Sequence, residues 1–312
     1  MATSRLQLIL KLKLFCNHHF IKMMNATDIK NELEAKGYVI IPNVISEKQI
    51  KIAKNLFHEW QRTIPNHDKI HSTIDPHGIY KFHGAGHTQH AWYLRTLPAI
   101  QAIYKQLWNC KKLITSFDGC NYMPKDLKKK DNCWTHTDQA PSNKGVECYQ
   151  GFIALTSNKE RTLRVYEGSH KLHEKYFADR GITSTKNWHK IDPEFLERIK
   201  DTKRTLNIPA GALVLWESRT FHQAQYGKPN SEERMIQYIC MFPDNHPKNT
   251  KAMKKKRLKY FNERRTTSHW PCPLHVNGLQ PRTFGDKSRL IDYSTVVKYD
   301  FTDSKDEIMK LL

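Results

Sequence analysis

The pattern of apolar and polar positions changes about a third of the way along the chain. Before that point the apolar positions recur at helical spacing. One predicted helix starts at Ser46, which has the capping-box partner Gln49 three residues later. Its apolar face comprises Ala53, Leu56, Phe57 and Trp60. Two more helices are expected over 28–35 and 100–107, with a strand over Tyr38–Pro42.

Beyond the last of these helices, short runs of β-branched and aromatic residues are separated by turn residues such as Pro209-Ala210-Gly211. The predicted strands are Leu113–Phe117, Tyr149–Thr156, Leu163–Tyr166, Ala212–Trp216 and Met235–Phe242. Many short strands with such turns are typical of antiparallel double-sheet folds. We therefore predict a mainly β fold with flanking helices, built on a double-stranded β-helix of the jelly-roll, cupin-like class.

The chain is expected to fold as one domain over residues 27–300, with a β-helix core at about 113–243 and a basic segment at about 248–300. Residues 301–312 are interpreted as a C-terminal tail. Residues 1–26 are interpreted as a flexible extension, with a weak organellar presequence as the alternative. The stretch 67–95, rich in His, Gly and aromatics without periodicity, is interpreted as loop or lid rather than core.

Cysteine usage and charge exclude several functional classes. Seven scattered cysteines without a C-x-x-C pair argue against a disulfide framework and a zinc knuckle, so we expect a reducing, cytoplasmic location. A transmembrane helix is not expected, because there is no run of about 18 apolar residues. The net charge of +20 would attract nucleic acid, anionic lipid or an anionic small substrate. Since no nucleic-acid-binding motif accompanies it, we interpret the charge mainly as a solvated lysine-rich surface.

One triplet suggests a metal site. His136-Thr137-Asp138 is the only H-x-D in the chain, and H-x-E is absent. Residues i and i+2 of a strand project to the same side, so the two side chains could grip one ion. The candidates for a third ligand are His170, His222, His246 and the histidines from His71 to His90. We favour His222, because it ends an apolar run that places it at the rim of a sheet.

Arg234 follows His222 by twelve residues and opens another apolar run, so a hairpin would bring both into one cavity. Two imidazoles and one carboxylate on one face of an octahedral ion leave three positions open, an arrangement typical of non-haem iron(II) oxygenases. A 2-oxoglutarate molecule would take two of these positions and O2 the third. The distal carboxylate of 2-oxoglutarate needs a fixed cation, which the planar fork of arginine supplies well.

These motifs resemble those of the phytanoyl-CoA dioxygenase family, whose members use iron(II) and 2-oxoglutarate. The matching pieces are KGYVIIPNVIS, FDG, WTHTDQ, YQGFIALTS, RVYEGSHKLH, PAGALVLWESRTFH and Arg234. The resemblance implies a double-stranded β-helix and a dioxygenase reaction. It also implies that the iron ligands are His136, Asp138 and His222, that Arg234 clamps 2-oxoglutarate, and that His170 is not a ligand.

One position departs from the family pattern. Ile236 stands where such families often carry Ser or Thr, so the second contact to 2-oxoglutarate is open. Ser218 could supply it or could be a structural hydroxyl. Gln139 and Gln150 are expected to point inward as substrate contacts. Candidate substrate contacts further upstream are Trp92 and Arg95, which could instead pack in the core and hold a surface carboxylate, respectively.

The expected function is therefore hydroxylation of an unactivated C–H bond in a small molecule, for which the positive charge suggests an anionic group. Succinate and carbon dioxide would be released. Two alternatives keep the fold. In one the substrate is nucleic acid or a protein, which the positive charge motivates. In the other the chain is a non-catalytic or zinc-binding relative.

Overall fold

The computed structural model describes residues 24–67 and 77–312, and in this part of the chain every strand pairing is antiparallel. The larger sheet has the order β1 (Tyr38–Ile41), β10 (Leu213–Glu217), β6 (Tyr149–Ala154), β12 (Arg234–Tyr238), β4 (Cys120–Met123) and β2 (Ile79–Tyr80). The smaller sheet has the order β8 (His189–Lys190), β5 (His136–Thr137), β11 (His222–Ala224), β7 (Leu163–Tyr166) and β9 (Lys203–Thr205). A separate pair joins β13 (Met241–Pro243) to β3 (Leu113–Thr115). This mostly antiparallel, two-sheet arrangement with helices confirms the predicted fold class.

The helices are α1 (Ala26–Lys36), α2 (Glu47–Gln61), α3 (Gln89–Arg95), α4 (Pro98–Trp108), α5 (His173–Ala178), α6 (Pro193–Arg198), α7 (Lys251–Asn262) and α8 (Lys305–Met309). The predicted capping box at the start of α2 is present, with reciprocal bonds between Ser46 and Gln49. Across the described residues, every helix falls short of the length and apolarity that crossing a lipid bilayer requires.

Side-chain alternation explains why the strands of the larger sheet are apolar almost throughout. In β6, Ile153 packs toward the helices, whereas Phe152 and Ala154 pack toward the smaller sheet. The same alternation in β12 places Met235 on the helix side and Ile236 between the sheets. Burial on both faces favours continuous hydrophobic runs. One end of the space between the two sheets is left to polar residues.

Two expectations about the chain's organisation are corrected. Helix α3 lies inside the stretch interpreted as loop or lid. Six of its seven residues are buried, and a short helix that is buried on nearly every side shows no amphipathic period. The predicted strand Met235–Phe242 is two strands in different sheets, β12 and β13, separated at Ile239 and Cys240. Residues 68–76 of the first stretch and the predicted extension up to residue 23 lie outside the described residues.

The C-terminal residues pack against the core. Phe301, Ile308 and Leu311 belong to the main apolar cluster. Arg257 of α7 is fully buried and donates hydrogen bonds to the carbonyl oxygens of Leu311 and Leu312. The segment that we interpreted as a tail is therefore held to the domain by both apolar burial and hydrogen bonds.

Candidate metal centre and the cavity around it

The two sheets meet at a cluster of three buried potential ligands. His136 in β5 and His222 in β11 are direct cross-strand partners, with ring centroids 4.4 Å apart. Asp138 follows β5, and its Oδ2 lies 3.6 Å from Nε2 of His136 and 3.3 Å from Nε2 of His222. One ligand atom from each residue lies within 4.8 Å of the others. This spacing is compatible with three ligands on one face of a single ion.

Backbone carbonyls fix the orientation of both imidazoles. Nδ1 of His136 lies 3.2 Å from the carbonyl oxygen of Trp134, and Nδ1 of His222 lies 2.8 Å from that of Thr220. These contacts assign the proton to Nδ1 in each ring, since a carbonyl oxygen can only accept. Each Nε2 then faces the carboxylate of Asp138 and is the ring nitrogen available to a metal ion, as in metal-ligating histidines.

Asp138 is held by both its backbone and its side chain. Its N–H donates to the carbonyl oxygen of Ser218 over 3.0 Å, and the hydroxyl of Thr137 donates to the same oxygen. Nε2 of Gln150 donates to Oδ2 of Asp138 over 3.0 Å. Gln150 belongs to β6 of the larger sheet, so this bond spans the two sheets.

The electrostatics favour the protonation states that bind a divalent metal. Burial alone would raise the pKa of Asp138, but His136 and His222 outweigh it and hold that pKa well below its ordinary value. Burial, followed by repulsion from His136, lowers the pKa of His222. A carboxylate anion and a neutral imidazole are the forms that coordinate metals. Two imidazoles and one carboxylate are a donor set that fits an iron(II) ion.

Arg234 lies across the cavity from this cluster. The cavity has a volume of about 330 Å³ and is lined by the three potential ligands together with Gln150, Arg234 and Tyr238. Arg234 is 1% exposed, and its Nη1 donates to Oδ1 of Asn121 over 2.6 Å. Among the described residues it forms no ion pair with a carboxylate. A buried guanidinium without a counter-ion is suited to bind an anionic ligand.

The route by which Arg234 reaches the cavity differs from the expected hairpin. β11 and β12 belong to different sheets, so the chain crosses from one sheet to the other between His222 and Arg234. The shared cavity was predicted, but the connection was not. A larger cavity of about 440 Å³ lies near Asn66 and His83 and contains none of the three potential ligands.

Two polar residues that we expected in the pocket, Gln139 and Ser218, lie outside its wall and bond to each other. Nε2 of Gln139 donates to the carbonyl oxygens of Asn143 and Gly145, and its Oε1 accepts from the hydroxyl of Ser218 over 2.8 Å. Neither Gln139 nor Ser218 lines the cavity. Ser218 therefore lies outside the cavity wall with its hydroxyl bonded to Gln139, whereas Gln150 lines the cavity.

Trp92 and Arg95 also lie outside the cavity wall. Trp92 is 2% exposed and packs in the main apolar cluster. Arg95 is fully buried and donates to the carbonyl oxygens of Gly86 and Asp118 over 2.6 Å each, so the carboxylate expected at the surface is not its partner. Their placement follows from the buried helix α3, which was interpreted as loop. His170 lies near the carbonyl oxygen of Glu34, away from the cavity.

Several cavity residues escaped the sequence reasoning. Trp134 and Trp188 stack against the ring of His136, at centroid distances of 4.8 and 5.5 Å. Tyr238 shares a strand face with Arg234, and the period of two in β12 could have identified it. Ser268, His269 and Asn277 also line the cavity, although nothing in the sequence requires their segment to fold over it.

The family comparison covers most of the site. A family model described as "Phytanoyl-CoA dioxygenase (PhyH)" matches residues 33–230, more than half of the chain. The matched range includes His136, Asp138 and His222 and ends before Arg234. A curated relative, "Ava biosynthesis cluster protein O" from Aspergillus versicolor, is 29% identical over 241 residues, which are 69% of this chain and 77% of the relative.

The matches to solved structures are low in sequence identity. The crystal structure of GlcNAc Inducible Gene 2 from Candida albicans matches with a TM-score of 0.54 at 16% identity, covering 70% of this chain and 66% of that one. EctD from S. alaskensis, solved with 2-oxoglutarate and 5-hydroxyectoine, matches with a TM-score of 0.47 at 12% identity, covering 72% of this chain and 78% of that one.

Proposed function

Because this chain belongs to the phytanoyl-CoA dioxygenase family, we propose that it is an iron(II)- and 2-oxoglutarate-dependent hydroxylase of a small molecule. Succinate and carbon dioxide are released as 2-oxoglutarate is consumed. The observation that carries the proposal is one cavity holding two opposed features. A buried cluster of two histidines and an aspartate lies at one side, and a buried arginine without a carboxylate partner lies at the other.

The residues of the cavity have distinct tasks in this reaction. Nε2 of His136 and of His222 and one oxygen of Asp138 would hold iron(II), which together with 2-oxoglutarate supplies the oxygen-activating chemistry. Gln150 keeps the carboxylate of Asp138 in orientation. Arg234 binds the distal carboxylate of 2-oxoglutarate. This bound carboxylate would then lie close to Tyr238, which lines the same part of the cavity.

The presence of Asp138 favours hydroxylation over halogenation. Iron(II) held by all three side chains would supply hydroxylation chemistry, because the carboxylate of Asp138 would occupy the coordination position that a halide needs. Phe152, Leu163 and Trp216 form an apolar part of the wall, which excludes water from the reacting centre.

A small-molecule substrate is favoured by the cavity volume of about 330 Å³ and by the relative whose name refers to a biosynthesis cluster. The net charge of +20 is not concentrated at the cavity. Of the cavity-lining residues in 24–67 and 77–312, Lys81 and Arg234 are the only ones that are lysine or arginine. The cavity therefore lacks the basic track with which proteins bind nucleic acid.

The test is an anaerobic titration of the protein with iron(II) and 2-oxoglutarate, followed by a pulse of oxygen. We expect a weak visible charge-transfer band from the iron–keto-acid chelate, and then slow formation of succinate without added substrate. If wild-type protein forms no such chelate at saturating 2-oxoglutarate, the oxygenase assignment is wrong. A zinc-binding or non-catalytic role would then replace it.

A further inference from the structure

Part of the cavity wall is formed by the segment 266–277. This segment follows the part of the chain that the family model matches. Thr267 forms an antiparallel bridge with Val276. The N–H of Thr267 donates to the carbonyl oxygen of Phe117, and the N–H of Phe117 donates to Oγ1 of Thr267. These reciprocal bonds fix the segment beside Asp118, which also lines the cavity.

Two adjacent side chains of this segment have buried polar atoms that are left without a partner. Within the described residues, Oγ of Ser268 and Nε2 of His269 are buried and form no hydrogen bond. Both residues line the cavity. Unsatisfied buried polar atoms are rare in native proteins, and at a cavity wall they are natural partners for polar groups of a ligand.

This wall offers hydrogen bonds with little fixed charge. Burial lowers the pKa of His269 to about 4, so its imidazole is neutral near pH 7 and can donate or accept. Lys81 and Asp118 also line the cavity and are of opposite sign, so they partly offset each other. A neutral oxygen substituent suits such a wall better than an anionic group, for which no second arginine is present among the lining residues.

The adjoining wall is aromatic. Trp188 stacks on His136 with an angle of 29° between the ring planes, and it is nevertheless 53% exposed. A tryptophan that exposes half of its surface at a cavity offers a flat apolar face to a ligand. Trp134 also stacks on the ring of His136, and its indole N–H donates to the carbonyl oxygen of Ala224.

We propose that the substrate is an uncharged ring compound with a hydroxyl or carbonyl oxygen, which Ser268 and His269 bind while the ring lies against Trp188. The inference rests on the proposed function and specifies the substrate class of the same site. It makes Ser268 and His269 determinants of specificity, contributed by a segment outside the matched family region. It also replaces the expectation of an anionic substrate.

The test compares three probes of similar size: 2-naphthol, 2-methylnaphthalene and the anion 2-naphthoate. Their affinities are measured by isothermal titration calorimetry without oxygen, for protein loaded with iron(II) and 2-oxoglutarate and again for metal-free protein. We expect 2-naphthol to bind most tightly. Ser268→Ala and His269→Leu should each weaken 2-naphthol binding about tenfold and change 2-methylnaphthalene binding by less than about twofold.

Three further variants sharpen the test. His269→Gln should restore part of the 2-naphthol affinity, because its amide again offers a hydrogen bond. Trp188→Ala should weaken both uncharged probes. His275→Gln, in the same segment but not in the cavity wall, should match wild type. Thermal unfolding of each variant separates lost contacts from lost folding, and the iron–2-oxoglutarate chelate should be unchanged in the Ser268 and His269 variants.

The proposal is overturned if 2-naphthol does not bind saturably to wild type, if 2-naphthoate binds more tightly, or if Ser268→Ala and His269→Leu bind 2-naphthol as wild type does. Failure of the proposed function has a different signature. In that case no iron–2-oxoglutarate chelate forms, while binding of the probes to metal-free protein still tests the polar and aromatic walls.

Discussion

The two sheets that enclose the cavity differ in construction. The smaller sheet carries its histidines on strands of two and three residues, β5 and β11, and its edge strand β9 is exposed throughout. The larger sheet carries Gln150 and Arg234 on strands of six and five residues, which are almost wholly buried. Helices cover one face of the larger sheet and contribute much of the main apolar cluster.

This difference separates two ways of positioning a functional group. Arg234 is placed by a long, well-packed strand, so its position depends on the hydrophobic core. The potential metal ligands are placed by a single cross-strand pair and by bonds to backbone carbonyls and to Gln150. We therefore expect the arginine to be preformed, and the geometry of the metal site to depend strongly on each ligand and its supporting bonds.

The largest effect should follow from removing a ligand of the smaller sheet. Asp138→Ala leaves two imidazoles to hold the ion and removes the anion that they flank, so iron(II) binding and succinate formation should be abolished. His136→Ala and His222→Ala should behave alike. The measurement is the anaerobic charge-transfer titration followed by succinate analysis, with His58→Ala on α2 as the control. An Asp138→Ala protein that forms the chelate and turns over like wild type would place the metal elsewhere.

Arg234→Lys should have the next largest effect. It changes a side chain of the larger sheet and leaves the potential metal ligands of the smaller sheet in place. Lysine keeps the charge but loses the two-pronged geometry, and each lost charged hydrogen bond costs about 1.5–3 kcal/mol. The KM for 2-oxoglutarate should rise roughly tenfold to hundredfold, with iron(II) affinity nearly unchanged. Arg180→Lys, outside the cavity, serves as the control. Unchanged dependence on 2-oxoglutarate in Arg234→Lys would refute the anchoring role.

Gln150 links the two sheets, because it lies on β6 and donates to Asp138. Gln150→Leu removes this bond while preserving most of the volume. Loss of a partner that orients a ligand typically lowers metal affinity by about tenfold to hundredfold, and we expect the lower value here because the backbone of Asp138 is still held by Ser218. The iron(II) affinity of Gln150→Leu is measured by titration and compared with that of the control variant Gln101→Leu. Equal affinities would mean that the smaller sheet positions Asp138 unaided.

The same contrast explains what could be predicted from the sequence. The metal-ligand candidates are marked by short-range patterns: a triplet for His136 and Asp138, and the end of an apolar run for His222. The fold class follows from alternation and turns. Long-range pairing has no such signature, so the crossing of the chain between β11 and β12 was missed.

The sequence interpretation was wrong where a helix is buried on nearly all sides, because such a helix has no periodic pattern of apolar and polar residues. Helix α3 is buried in this way, so Trp92 and Arg95 resembled residues of a polar, aromatic loop. Gln139 was expected to point inward, yet its side-chain amide donates to the carbonyl oxygens of Asn143 and Gly145. His269 is brought to the cavity by contacts far apart in sequence, which no window of residues reveals.

The smallest effect is expected at Ser218, where the backbone and the side chain have different roles. Its N–H donates to the carbonyl oxygen of Cys148, and its own carbonyl oxygen accepts from the N–H of Asp138, so the backbone joins the sheets beside the ligand. Its hydroxyl makes one bond, to Gln139, whose Oε1 also accepts from the N–H of Glu147.

Ser218→Ala therefore removes one hydrogen bond and leaves the backbone link intact. The free energy of unfolding should fall by about 1 kcal/mol in urea denaturation, because a typical buried hydrogen bond contributes about that much. The KM for 2-oxoglutarate and the affinity for iron(II) should stay within about twofold of wild type, as in the exposed control Ser142→Ala. A tenfold rise in the KM for 2-oxoglutarate would instead make the hydroxyl of Ser218 a cosubstrate contact. Arg234 would then no longer be the only residue assigned to anchor 2-oxoglutarate.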